Sequence, residues 1–271
     1  MHYAKDIQAE TEHSPERPLP LGGVALVDGV NTVSRTNAMT YPFRYICCIE
    51  FVPSKGAATI IGTGTLVSPR TVLTAAHVVA DFLSGTTLTA GSLRVTPGRT
   101  GAHSPAGSSR ARSVKVPPDF FHSEKGGVGS AFDCALLHLA KSFATTIGFW
   151  GEPRPPADSR GSRIGALSGW RPGRYRVNHS GYPRGKAGLQ SHRWSKTLAP
   201  ATRDLLFIDS SVQQGDSGSP VWVTRDRSLG GRHLWGMIVS GFGPSPSTPS
   251  SEAEALILRA GSPILDLIKG L

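Results

Sequence analysis

The sequence predicts an all-β protein with long loops. It holds 32 glycines and 21 prolines in 271 residues, so turn formers punctuate the chain densely. The apolar stretches between them are short, as strands require and long helices do not. Thr63–Val67 and Thr71–Thr74 are β-prone runs joined at Ser68-Pro69-Arg70, a composition that makes a turn between two strands. The length suffices for one or two hydrophobic cores.

From the N-terminus, residues 1–34 are expected to be flexible or propeptide-like, because residues 1–20 are polar and carry prolines. They lack the basic stretch and apolar run of a signal peptide, and no stretch of the chain is apolar enough to span a membrane. The Thr71–Thr74 run ends in Ala75-Ala76-His77, so the histidine sits where the chain leaves a strand beside two small residues. Residues 99–113 are basic and rich in Gly, Ser and Pro, and are expected to be a mobile loop. Asp133 then opens the run Cys134-Ala135-Leu136-Leu137-His138-Leu139, which is expected to be a buried strand. Residues 152–176, rich in Arg, Pro and Gly, suit a link, and residues 243–251 a low-complexity loop. A short helix closes the chain. Ser262 is its expected N-cap and Pro263 its first residue, with Ile264, Leu265, Leu267 and Ile268 on the apolar face.

Three of these segments carry chemistry. Gln214-Gly215-Asp216-Ser217-Gly218-Ser219-Pro220 places a serine between glycines in a turn that starts a strand. A serine hydroxyl attacks a carbonyl only with a base beside it and donors for the oxyanion it creates. The flanking glycines allow a sharp turn and leave the N–H groups of Gly215 and Ser217 unobstructed. Asp133 entering an apolar run is costly unless it is paired or heavily hydrogen-bonded, and a histidine N–H is a suitable partner. Asp81, Asp119, Asp158 and Asp204 lie in polar, loop-like surroundings and are weaker candidates. Each segment alone also has a plain structural reading: a polar hairpin, a core histidine, a strand-terminal carboxylate.

Together, in the order His77, Asp133, Ser217, they resemble the chymotrypsin-fold serine proteases. Within that superfamily the chain resembles the bacterial glutamyl-endopeptidase branch. The segments that carry this are Gly62-Thr63-Gly64-Thr65-Leu66-Val67 before Thr74-Ala75-Ala76-His77-Val78-Val79, then Val95-Thr96-Pro97-Gly98, Asp133-Cys134-Ala135-Leu136-Leu137, and Ser180-Gly181-Tyr182-Pro183. The resemblance covers roughly residues 35–270. It implies two antiparallel six-stranded β-barrels: the first within residues 35–150 with His77 and Asp133, the second within 151–271 with Ser217 and the closing helix. It implies a peptide-bond hydrolase in which Ser217 attacks, His77 moves the proton, Asp133 orients the ring, and the N–H groups of Gly215 and Ser217 form the oxyanion hole. Ser211, Val212, Gln214, Ser240 and Gly241 would bind substrate. The resemblance suggests a secreted or periplasmic protein, although the start of the chain shows no export signal. A monomer acting on a polypeptide is expected, without metal or other cofactor.

Two positions depart from the branch. Its glutamate-specific members carry a histidine on the strand after the nucleophile, where this chain has Ile238 or Val239, neither of which binds a carboxylate. No acid sits near the expected pocket base at Ser211 and Val212, which disfavours cleavage after Arg or Lys. The pocket therefore suits small or apolar side chains, and Gly241 is expected to leave its mouth open. Asp216 is the second departure. In digestive proteases that acid pairs with a new N-terminal ammonium, of which Leu21-Gly22-Gly23-Val24 is a faint echo; an arginine would serve as well.

The formal charge of +10 admits non-specific anionic partners, but no nucleic-acid motif accompanies it, so no specific nucleic-acid partner is expected. Cys47, Cys48 and Cys134 are odd in number and include an adjacent pair, which favours free thiols, and no spacing suggests zinc. Two alternatives to an active endopeptidase stand: a catalytically silent homologue that binds peptides or anionic partners, and an esterase with the same triad.

Overall fold

A computed structural model describes residues 25–27, 30–122, 124–143, 147–152, 162–165, 176–200, 202–210, 212–224, 231–242 and 254–270. The chain opens with a hairpin of β1 (Ala25–Val27) and β2 (Val30–Thr32), followed by a single turn, α1 (Arg35–Ala38). The first barrel begins with β3 (Ile46–Phe51), β4 (Thr59–Ser68) and β5 (Thr71–Thr74). A one-turn helix, α2 (Ala76–Val79), and a small hairpin, β6 (Ala80–Asp81) with β7 (Thr86–Thr87), come next. Then β8 (Leu93–Pro97), β9 (Ser109–Lys115) and β10 (Ala135–Leu139) complete the barrel, closed in the order β10-β5-β4-β3-β8-β9.

The second half begins with β11 (Ser162–Ile164), which lies parallel to a later strand. Its sheet comprises β12 (Arg176–Gly181), β13 (Ser191–Pro200), β14 (Leu205–Asp209), β15 (Pro220–Thr224), β16 (Arg232–Phe242) and β17 (Glu254–Arg259). Pairings run β13-β12-β15-β16-β17-β14, and β14 pairs back to β13, so six strands form a closed circuit. The strand β2 adds to the outside of β13. The all-β class and the two-barrel architecture are those the sequence predicts.

Aromatic side chains join the two halves. Trp150, which follows the first barrel, lies 6.3 Å from Trp222 of β15, and Phe43 meets Trp222 edge-on at 6.2 Å. All three are buried. The Trp150 indole N–H donates to Thr65 Oγ1 at 2.8 Å, which compensates the burial of that donor.

Two local expectations change. Residues 109–113, expected in a mobile loop, belong to β9. Ser109 and Ala111 face inward while Arg110 and Arg112 are exposed. That is a period-2 strand whose inward residues are too small to read as apolar. The closing helix, α3 (Ser262–Lys269), starts one residue earlier than expected. Gly261 is its N-cap, accepting the Leu265 N–H at 3.0 Å, and Ser262 is its first residue. Ile264 and Leu267 are buried as the periodicity requires.

Candidate active site

The residues around His77 follow from the end of β5. Ala75 and Ala76 are fully buried, and their small side chains let α2 turn tightly against the barrel. The His77 ring donates from Nδ1 to Asp133 Oδ2 at 2.8 Å, and the His77 backbone N–H donates to Oδ1 at 3.0 Å. Asp133 is fully buried just ahead of β10, and it also accepts the Gly129 N–H at 2.7 Å. Three donors thus compensate the desolvation of this carboxylate. Gly129 has φ +75°, a conformation that favours glycine and turns its N–H onto the acid. With the proton held on Nδ1, Nε2 is left as the basic nitrogen of the ring.

Ser217 lies in the turn between β14 and β15. Gly215 and Gly218, on either side, have φ of +101° and +83°. A Cβ on Gly215 would stand 2.5 Å from the Tyr182 carbonyl, and one on Gly218 would overlap the Thr63 carbonyl. Only glycine fits at either place. The first barrel holds this turn through Thr63: its N–H donates to the Ser217 carbonyl at 2.9 Å, and its hydroxyl to the Gly215 carbonyl at 2.8 Å. The N–H groups of Gly215 and Ser217 make no hydrogen bond among the described residues, while those of Asp216, Gly218 and Ser219 are all taken.

His77 and Ser217 line one cavity of about 220 Å³ together with Val128, Val212, Gln213, Gln214, Ile238, Val239, Ser240 and Gly241. No hydrogen bond joins the Ser217 hydroxyl to the ring among the described residues. Of the residues expected to bind substrate, Val212, Gln214, Ser240 and Gly241 lie here, and Ser211 falls outside the described residues. Val128, 61% exposed, and Gln213 were missed. An apolar residue inside Gly126-Gly127-Val128-Gly129 is the signal that would have flagged the first.

Gly241 does not leave the pocket mouth open. A Cβ there would overlap Val212 Cγ2, so the valine side chain covers the glycine from the opposite wall. The glycine removes bulk from its own strand, and its neighbour across the pocket takes the space. Ile238 and Val239 are buried in the wall, and among the described residues His77 is the only ionisable group in the lining.

Asp216 is buried and pairs with an arginine. Arg193 of β13 places Nη1 3.1 Å from Oδ2, and the Gln213 N–H donates to the same oxygen at 2.9 Å. Burial pushes the carboxyl above its ordinary range, and the Arg193 guanidinium opposes that shift. Leu21-Gly22-Gly23-Val24 lies outside the described residues.

Other polar groups stand apart. His179 meets the hydroxyls of Ser210 at 2.7 Å and Ser195 at 3.4 Å inside the second barrel, with no carboxylate bonded to it and no place in the cavity lining among the described residues. Burial, then Arg193 and His192, push its pKa well down, so it is neutral. Asp81 caps its own turn by accepting the Leu83 N–H at 2.9 Å. Cys47, Cys48 and Cys134 are all buried free thiols. Val78 packs onto Gly62 beside the histidine, where a Cβ on the glycine would stand 2.5 Å from Val78 Cγ1. Among the described residues no group of His, Cys, Asp and Glu could hold a metal ion, and no helix is long and apolar enough to cross a membrane.

Two barrels with a histidine–aspartate pair in the first and a glycine-framed serine in the second define the chymotrypsin fold. The sequence profile described as Trypsin matches residues 33–255, and the chain belongs to the trypsin family. It is 27% identical over 215 residues to glutamyl endopeptidase of Bacillus licheniformis, covering 79% of this chain and 59% of that protein. It is 29% identical over 176 residues to serine protease 23 of Homo sapiens, covering 59% of this chain and 42% of that one. The chain therefore spans about three-fifths or less of the length of these relatives. Among solved structures, a Glu endopeptidase in complex with MPD superposes with a TM-score of 0.67 at 19% identity, over 92% of this chain and 98% of that one. The protease Anisep from Arthrobacter nicotinovorans gives 0.57 at 16% identity, over 84% and 94%. At these identities the structural likeness speaks for the fold.

Proposed function

We propose that this protein is a serine endopeptidase that hydrolyses peptide bonds through Ser217, His77 and Asp133. The observation that carries the reading is the pair of hydrogen bonds that His77 donates to Asp133 beside a cavity that Ser217 also lines. In this reading residues 35–150 bring the base and its acid, and residues 151–271 bring the nucleophile.

The chemistry runs in two halves. His77 Nε2 takes the proton from Ser217 Oγ as the oxygen adds to the scissile carbonyl. Asp133 fixes the ring tautomer and stabilises the imidazolium. The N–H groups of Gly215 and Ser217, which have no other acceptor among the described residues, donate to the oxyanion. The imidazolium then protonates the leaving amine, and an acyl group remains on Ser217. Water, deprotonated by the same ring, releases the acid and restores the hydroxyl.

A fluorophosphonate probe tests for the activated serine. The wild type is expected to be labelled and Ser217→Ala not, with kcat for peptide hydrolysis falling on the order of 10⁶-fold. Equal labelling of both proteins would reject hydrolysis and favour a silent peptide-binding homologue. A labelled protein that cleaves esters but no member of a peptide library would be an esterase.

A further inference from the structure

We infer that Val212 makes the pocket beside Ser217 a short one that admits an alanine-sized, uncharged side chain on the acyl side of the scissile bond. Glutamate and aromatic residues are rejected there. The inference rests on the hydrolytic reading above and deepens it by naming the substrate class.

Three observations carry it. The first is the contact between the pocket walls. Val212 Cγ2 occupies the space a side chain on Gly241 would take, so the strand offering Gly241 and the segment offering Val212 touch across the mouth. A long side chain entering between them would have to displace a methyl group. The second is anchorage. Val212 packs on the buried cluster that includes Ile208, Ile238 and Ile257, and its β-branched side chain has few alternative rotamers. The third is chemistry. Ile238 and Val239 are buried aliphatic wall, Gln213, Gln214 and Ser240 are neutral, and the one ionisable group of the lining among the described residues, His77, is bound to Asp133. A glutamate carboxylate would be desolvated there with no cation among the described lining residues to meet it. Relatedness to a glutamyl endopeptidase does not carry that enzyme's preference into this pocket.

The experiment measures kcat/KM on peptide amides that differ only in the residue whose carbonyl is attacked: Ala, Leu, Phe, Glu or Lys. Wild type is expected to favour Ala over Phe and over Glu by at least about 10-fold, the scale on which a pocket rejects excess volume. Val212→Ala and Val212→Gly are expected to raise Leu and Phe relative to Ala by about 10-fold or more, and to leave Glu poor. A wild type that cleaves after Phe or Glu as well as after Ala overturns the inference. So does a Val212→Gly protein whose Phe-to-Ala ratio stays within about 2-fold of wild type.

The same ranking is read without turnover, as Kd values of Ala- and Phe-ending tetrapeptides on Ser217→Ala protein measured by calorimetry. Tighter binding of the Ala peptide by Ser217→Ala, together with a wild type that hydrolyses none of the amides, would sink the hydrolytic reading and keep the pocket. Active protein with the opposite ranking would sink the pocket and keep hydrolysis.

Discussion

Replacing Arg193 by methionine removes the cation from a buried pair while keeping most of the side-chain volume. The Arg193 and Asp216 side chains are 10% and 3% exposed, with Nη1 3.1 Å from Oδ2. At an effective dielectric near 20, two charges about 4 Å apart attract by about 4 kcal/mol. Breaking a buried pair by deleting one partner costs about 3–5 kcal/mol, because the remaining charge is stranded. Both routes give a loss of about 3–4 kcal/mol at neutral pH for Arg193→Met, read as the free energy of urea unfolding. The pH dependence has a definite sign. Burial already raises the Asp216 pKa in the folded protein, and removing Arg193 raises it further. A carboxyl raised in the folded state contributes stability that is present below the unfolded pKa near 3.9 and is lost as pH rises through the folded value. The deficit of Arg193→Met against wild type should therefore be small near pH 4 and grow toward pH 7. Adding Asp216→Asn removes the stranded charge and should recover about 2 kcal/mol. Since Asp216 lies between the two proposed oxyanion donors, labelling of Ser217 by a fluorophosphonate should slow by about 10²–10³ in the single variant. A deficit under about 1 kcal/mol at pH 7, or one equal at pH 4.5 and pH 7, would refute the pairing as the force that holds this loop.

The remaining predictions concern the same loop and the second barrel's core. Gly215→Ala puts a Cβ 2.5 Å from the Tyr182 carbonyl at a φ of +101°, so the loop must move. Its kcat should fall by about 10²–10³ with KM changed little, and an unchanged kcat would remove the Gly215 N–H from the oxyanion site. His192 is buried against Trp222 with Nε2 3.2 Å from Asn178 Oδ1, and burial, with help from Arg232, pushes its pKa down to about 4. A histidine lowered in the folded state contributes stability that is present above the unfolded pKa near 6.5 and lost as pH falls through the folded value. This one group should cost about 3 kcal/mol between those limits. Unfolding curves of His192→Gln across pH 6.5 to 4 should be flatter than wild type by about that amount, and superimposable slopes would contradict the burial argument.

What the sequence makes legible here is whatever lies within a few residues of itself. Ala75-Ala76-His77 after a β-prone run, Asp133 before an apolar one and Ser217 between glycines each state a local conflict, a polar group placed where only chemistry or a partner justifies it. Those conflicts, taken in order along the chain, are enough for the fold and for the three side chains proposed to act. The partners that resolve them are distant in sequence. Asp216 sits among 29 Lys and Arg residues, and nothing local selects Arg193. That choice is made by register: His179 of β12 stands opposite both Arg193 of β13 and Val221 of β15. This brings the arginine's strand within reach of the turn that leads into β15. Val212 closing over Gly241 is the same kind of fact, because a glycine promises open space only if no facing residue fills it.

Thr63 takes the point furthest. In sequence it is one more β-branched residue of a Gly-Thr-Gly-Thr strand, suited to the pleat and otherwise silent. In the fold its hydroxyl accepts the Tyr182 N–H at 2.8 Å and donates to the Gly215 carbonyl at 2.8 Å, its N–H reaches the Ser217 carbonyl, and its own carbonyl accepts the Thr74 hydroxyl at 2.6 Å. One fully buried residue of the first barrel thus uses every polar atom it has, and three of those bonds fix the serine turn of the second barrel or the strand end beside it. A buried hydrogen bond contributes only about 1 kcal/mol net, but each orphaned partner would cost about 1–3 kcal/mol. The turn that carries Ser217 is therefore tied to the first barrel by a threonine 14 residues before the histidine, which nothing in the serine's own segment announces.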